Sequence, residues 1–451
     1  MRFQSMEEVK KSLRGTVETN GQVHVVDKEK LRGEAIDRLV FNSVFHENGE
    51  IKQAARKLIR ESANAMGIRP ASILGLYEAR GRGECGGFTV PAINIRGLTY
   101  EMARAVFRAA LRNQVGAFIF EIARSEIGYT FQRPAEYAHV VMAAAIKEGF
   151  SGPLFIQGDH FQASAKSFVK DPEAEVQSLK SLIQEAIQAE FFNIDIDSST
   201  LVDLSKPTIP AQQQANCQVA AELTAFLRGL EPKGVAISVG GEIGEVGGKN
   251  STVEELEVYM EGYREELDKR RKGLRGISKI SVQTGTTHGG VPLPDGTIAR
   301  VKLDFETLGK LSRVARERYG LAGAVQHGAS TLPEEAFDHF PRQDCAEIHL
   351  ATGFQNMLYD HPGFPRKVKD EIYDFLRKEF ADEKKEKETD EQFIYKTRKK
   401  AFGPLKEKFW SLPEEFRAEI GKELQGRFEF LFKKLNVVNT VALAREKVPS
   451  V

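Results

Sequence analysis

Between residues 88 and 352 the chain alternates short runs of β-branched and aromatic residues with longer stretches in which apolar residues return every three or four positions. The short runs read as strands and the longer stretches as amphipathic helices, which together describe βα units around a parallel sheet. Eight runs are present: FTVPAINI (88–95), GAFIFEIA (116–123), GPLFIQGDH (152–160), FFNIDIDS (191–198), GVAISVGGEIG (234–244), SKISVQTGTTH (278–288), AGAVQHGAS (322–330) and CAEIHLAT (345–352). Helical stretches such as TYEMARAVFRAALRN (99–113) and EAEVQSLKSLIQEAIQ (173–188) separate them. Eight repeats of the unit predict an α/β fold, a closed (β/α)8 TIM barrel over 88–360. It is flanked by a helical N-terminal extension, 1–87, and a helical C-terminal extension, 361–451.

The runs are apolar where they start and polar or glycine-rich where they end. In a barrel of this kind the C-terminal strand ends and the loops after them form the active face. Gly, Ser and Asp at such ends also terminate strands and cap helices, so part of the pattern is structural.

Length fits this reading, because a barrel of roughly 250 residues leaves room in 451 for both extensions. Lys+Arg and Asp+Glu both number 64, so no global charge draws the chain to nucleic acid or to an anionic membrane. The three cysteines, Cys85, Cys217 and Cys345, form no CxxC pair and argue against a disulfide framework or a cysteine metal cluster. The N-terminus lacks the apolar core of a signal peptide, and no segment reaches the roughly 18 apolar residues of a membrane span. A cytoplasmic protein is expected.

Nine histidines occur. His24, His46, His139, His339 and His361 have ordinary settings, and His349 is a partial exception. His160, His288 and His327 each follow directly on an apolar run, on the third, sixth and seventh barrel strands, so closure of the barrel turns all three toward one mouth. Three imidazoles can hold a divalent ion while leaving coordination positions open, as catalytic zinc requires. An open position admits a substrate carbonyl or hydroxyl, whose polarisation stabilises an enediolate in carbon–carbon cleavage or sugar isomerisation. Asp159, beside His160, offers a carboxylate for proton exchange or for support of a metal ligand.

PAIN at the first strand, GDH, IDSS, GGEIGEVGG, GTTHG and HGAS follow one another in the order found in the class II ketose-bisphosphate aldolases, which residues 86–360 resemble. The resemblance implies that His160, His288 and His327 are ligands of a catalytic Zn2+, or of another divalent metal. It implies that Glu242 holds the metal in an alternative position and that Asp159 protonates the aldehyde-derived oxygen. Asn94 falls on the residue that contacts the ketone half, and Gly289, Gly328, Ser330 and Thr352 on positions that bind its phosphate. Backbone amides freed by glycine suit such an anion site. A phosphorylated sugar as substrate and a homo-oligomeric assembly are further implications.

Departures from the family pattern concern the shell around the metal. Lys249 and Asn250 stand where two acidic residues are usual, the second being the base that removes a proton from the ketone. His349 and Ala351 replace an asparagine and an aspartate, and Ala123 replaces a serine. Glu245 is the nearest carboxylate able to act as base, with Glu126 and His349 as alternatives. Arg398, Lys399 and Lys400 offer a second phosphate site or simply an exposed basic helix start. The function expected is a metal-dependent aldolase that releases dihydroxyacetone phosphate and an aldehyde. A metal-dependent sugar, sugar-phosphate or sugar-acid epimerase, or a non-catalytic aldolase partner subunit, are the alternatives.

Overall fold

A computed structural model describes residues 1–20, 22–244, 248–286 and 303–448. The strands run in chain order as β1 (Val17–Asn20), β2 (Gln22–Val25), β3 (Ile68–Ala71), β4 (Val90–Asn94), β5 (Ile119–Ala123), β6 (Gly152–Gln162), β7 (Asn193–Asp197), β8 (Ser238–Glu242), β9 (Lys279–Val282), β10 (Ala324–Gln326) and β11 (Glu347–Leu350). Strands β4 to β11 pair in parallel with their neighbours, β11 returns to β4, and β6 pairs with β7, so the eight form a closed barrel. Seven of the eight lie inside one of the apolar runs, and β6 continues two residues past its run, to Gln162.

The helices between the strands follow their local signals. Asp171 caps the helix Pro172–Gln188, with proline at its start, and Thr252 and Glu255 form a capping box at the helix Val253–Arg270. The N-terminal extension departs from the purely helical expectation. It contains the antiparallel hairpin β1/β2, and β3 pairs in parallel with the first four residues of β6, outside the barrel ring. Strands of four residues are too short for their periodicity to separate them from a helical turn.

Both extensions clamp the barrel. The helix Leu74–Gly81 closes its N-terminal end. There the buried Arg80 donates to the carbonyls of Ala322 and Cys345, both at 3.0 Å, and to that of Phe88. At the far end of the chain, Thr440 Oγ1 accepts hydrogen bonds from the Gly116 and Ala117 amides, and Arg417 pairs with Glu101 at 3.1 Å.

The barrel interior is the unexpected part. One layer, drawn from alternate strands, is usually filled by branched apolar side chains. Here Glu121 of β5, Asp195 of β7, Lys279 of β9 and Glu347 of β11 form a buried charged layer. Lys279 Nζ lies 3.0 Å from Asp195 and 2.5 Å from Glu347, and Gln157 of β6 bridges Glu121, Glu347 and Lys279. Tyr77, from the helix below, donates to Glu347.

Candidate metal centre

The loop side of the barrel opens into a cavity of about 520 Å³ lined by residues that end five strands, together with Arg96, Arg124, Glu126, Tyr129 and Lys399. His160 enters it from an irregular point in β6. The pairing of β6 with β7 shifts register between Gly158 and Phe161, and His160 itself has φ 38°. A bulge of this kind re-aims a side chain, and a left-handed histidine carries strain that the surrounding structure must hold. Gly158 makes the bend possible, because a Cβ there would lie 2.4 Å from the Phe161 ring.

His160, His327 and Glu242 come together: one ligand atom from each lies within 4.8 Å of the others. The two imidazole rings lie 4.1 Å apart, and Glu242 Oε2 is 3.3 Å from His160 Nδ1 and 4.0 Å from His327 Nε2. His160 Nδ1 also lies 2.9 Å from Asp197 Oδ2, and Ser281 Oγ is 3.1 Å from His327 Nε2. A carboxylate on Nδ1 fixes the tautomer and leaves Nε2 for a metal, the usual support of a ligating histidine.

The donor set fits a borderline divalent ion. Glu242 Oε1 is buried with no hydrogen-bond partner among the described residues. Burial, then the neighbouring Asp197, push its carboxyl up to about 8. Burial alone would lower the His160 imidazole, but Asp159 and Glu242 outweigh it and raise it. Two imidazoles and a carboxylate suit Zn2+ or a neighbour in the first row.

His288, Gly289 and Glu245 lie outside the described residues. The other expected site residues converge: Asp159, Asn94, Gly328, Ser330 and Thr352 all line the cavity. Asp159 Oδ1 is 4.0 Å from His327 Nδ1, and Gly328 adopts a left-handed conformation with φ 69°. Asn94 Nδ2 donates to Glu126, and its Oδ1 has no hydrogen-bond partner among the described residues. Lys249 and Asn250 do not line the cavity. Lys249 pairs with Glu255 at 2.7 Å and Asn250 donates to Asp304. The three basic residues of the C-terminal extension separate: Arg398 is buried against Asp360 and Asn356, Lys400 pairs with Glu383, and Lys399 alone of them lines the cavity.

Sequence reasoning gave no role to Arg96 or Asp197. Arg96 Nε donates to Glu126 at 2.7 Å, and its Nη1 to Thr352 Oγ1 at 3.0 Å and Gln355 at 3.2 Å. It sets a permanent positive charge beside one of the expected phosphate contacts.

The model of the class II fructose-bisphosphate aldolase family matches residues 80–409. The chain belongs to that family. Its members carry out aldolase-type chemistry and generally depend on a divalent metal. No curated protein matches the chain. Among solved structures it is similar to a protein from Sinorhizobium meliloti 1021 titled "probable tagatose 6 phosphate kinase", with 16% identity, TM-score 0.54, and coverage of 79% of this chain and 99% of that one. This likeness supports the shared fold. The YdjI aldolase of Escherichia coli K12 is 15% identical with a TM-score of 0.48, covering 82% of this chain and 99% of that one. The fructose-bisphosphate aldolase of Campylobacter jejuni is 16% identical with a TM-score of 0.48, covering 83% of this chain and 96% of that one. Among the described residues no helix is long and apolar enough to cross a membrane.

Proposed function

We propose that this aldolase-family chain is a zinc-dependent aldehyde-lyase. It reversibly cleaves a phosphorylated ketose of the fructose 1,6-bisphosphate kind into dihydroxyacetone phosphate and an aldehyde. The observation that carries the reading is the convergence of His160, His327 and Glu242, with His160, His327 and the neighbouring Asp159 lining the cavity. His288 is assigned as the third imidazole ligand. A divalent ion bound there supplies Lewis-acid polarisation of a substrate carbonyl or hydroxyl oxygen.

The remaining work falls to the side chains. Asp159 exchanges the proton of the aldehyde-derived oxygen. Asn94, held through its Nδ2 by Glu126, offers its buried Oδ1 to a hydroxyl of the ketone half. Gly328, Ser330 and Thr352, with Gly289, hold the phosphate of that half, and Arg96 beside Thr352 adds a guanidinium suited to a phosphate oxygen. Lys399 faces the same cavity and is assigned to the second phosphate. Glu245, three residues beyond Glu242, is assigned the removal of the proton from the ketone carbon, since Lys249 and Asn250 are engaged elsewhere.

The test is product analysis with isotopically labelled hexose bisphosphate on protein stripped by chelator and reloaded with zinc. Labelled trioses that appear only after reloading support the lyase. An isomer formed without triose replaces it with the epimerase, and turnover that survives stripping refutes the metal dependence.

A further inference from the structure

The C-terminal extension lines the cavity through Lys399, while the residue before it, Arg398, is buried on a different set of partners. The Arg398 guanidinium donates to Asp360 Oδ1 at 2.6 Å, to Asp360 Oδ2 at 3.1 Å and to Asn356 Oδ1 at 2.6 Å, and it packs over the Tyr359 ring. Its carbonyl accepts a hydrogen bond of 2.7 Å from the Tyr359 hydroxyl. Asn356, Tyr359 and Asp360 all lie in the C-terminal half of one helix, Thr352–Asp360. A planar guanidinium gripped by a carboxylate fork fixes direction as well as distance.

The N-terminal end of that helix carries the other side of the site. Thr352 is its first residue, and Arg96 donates to both Thr352 and Gln355. Two glycines let the segment after Lys399 press against the barrel. A Cβ on Gly97 would run into the Phe402 ring, and one on Gly403 into the Tyr129 carbonyl. Lys399 Nζ then stands 5.6 Å from the centre of the Tyr129 ring, which belongs to the helix after β5. Burial, then the nearby Arg96, lowers the Lys399 ammonium, against the opposing effect of Glu126. A shielded cation beside a second cation is stabilised by an arriving anion.

We propose that Arg398 is a positioning residue that sets the length of the substrate. By anchoring Lys399 to the helix that starts at Thr352, it fixes the span between the two phosphate contacts and selects a ketose bisphosphate over a ketose phosphorylated at one end. This role rests on the reading under Proposed function for the aldolase reaction and for the contact of Lys399 with the second phosphate.

The experiment compares kcat/KM for fructose 1,6-bisphosphate with that for fructose 1-phosphate in the zinc-loaded full chain, in Arg398→Met and in Lys399→Met. The wild type is expected to prefer the bisphosphate at least about tenfold, since a hydrogen bond to a charged group is worth that much. Both variants are expected to lose most of this preference. In Arg398→Met the loss falls on KM for the bisphosphate, and turnover of the 1-phosphate stays as in the wild type. A preference kept by Arg398→Met but lost by Lys399→Met overturns the positioning role and leaves the reading of the site intact. An equal loss on both substrates in Arg398→Met also overturns it, because support of the fold alone would act on both. A preference kept by Lys399→Met, or missing from the wild type, overturns the contact with the second phosphate and the role with it. No triose from either sugar in the wild type overturns the aldolase reading itself. Where Arg398→Met does not fold, Asp360→Ala removes the same anchor at a side chain that is 59% exposed: a lost preference supports the role and a kept one overturns it.

Discussion

Asp197 accepts a hydrogen bond from Nδ1 of His160 at 2.9 Å, and the same carboxylate is held by the Ser199 hydroxyl at 2.7 Å and by Gln162. The ring is therefore locked in tautomer and direction by a side chain that does not itself need to touch metal. Losing such a support typically costs about 10- to 100-fold in metal affinity. Asp197→Ala is expected to weaken zinc binding by that factor while the chain stays folded. Competition against a chromophoric chelator measures it, and an unchanged affinity would show that His160 is held by other means.

Arg96 joins two parts of the cavity wall, Glu126 on the helix after β5 and Thr352 at the start of the helix after β11. Its side chain is 13% exposed and that of Glu126 5%. Truncating one partner of a buried hydrogen-bonded charge pair costs about 2–5 kcal/mol, part of which is the charge left behind. Arg96→Met is expected to raise KM for the phosphorylated substrate at least about tenfold, a 1.4 kcal/mol effect, with a smaller change in kcat. Steady-state kinetics with the phosphorylated sugar separates the two, and a loss confined to kcat would place Arg96 at the reacting atoms instead.

Some of this site is visible in the amino-acid order and some is not, for physical reasons. The eight barrel strands are legible because each is an apolar run that turns polar at its end. His160 and His327 stand out because an imidazole directly after such a run has few structural reasons to be there. His349 is harder to read, since Leu350 and Ala351 follow it in place of the glycines that mark an anion-binding loop. Asp197, before two serines, has the composition of any strand end or helix cap. Arg96 follows a strand, where a surface arginine is ordinary. Lys279 is hidden most deeply. Period-two alternation shows which residues share a face of a strand, but only closure of the barrel brings Lys279 against Asp195 and Glu347.

That layer makes a stability prediction. Lys279 is the permanent cation between Asp195 and Glu347; burial raises the Glu347 carboxyl, but Lys279 and His349 together outweigh it and hold the carboxyl below its ordinary range. Breaking a buried ion pair by removing one partner costs about 3–5 kcal/mol, whereas replacing both partners by apolar groups of similar size is far less damaging. Lys279→Met is expected to lower the unfolding free energy by that amount, and Lys279→Met with Glu347→Leu to recover part of it. Urea unfolding of the metal-free chain measures both. A single variant as stable as the wild type would mean that the carboxylates are already neutral.

His139 supplies a pH prediction away from any metal ligand. It sits in the helix Pro134–Glu148, where its Nδ1 meets the Ala135 carbonyl. Burial lowers its imidazole from the ordinary 6.5 to about 4, against the opposing effect of that hydrogen bond. The folded chain therefore keeps His139 neutral where the unfolded chain would protonate it. Between pH 6.5 and about 4 the unfolded state binds the extra proton, so stability rises with pH across that window and is lost as pH falls through it. The full shift corresponds to an effect on the order of 3 kcal/mol, reduced in practice because the side chain is only partly shielded. His139→Gln, which cannot titrate, is expected to flatten the pH dependence of the urea unfolding free energy over this interval. If the variant and the wild type lose stability in parallel from pH 6.5 to 4, the acid sensitivity of the fold originates elsewhere.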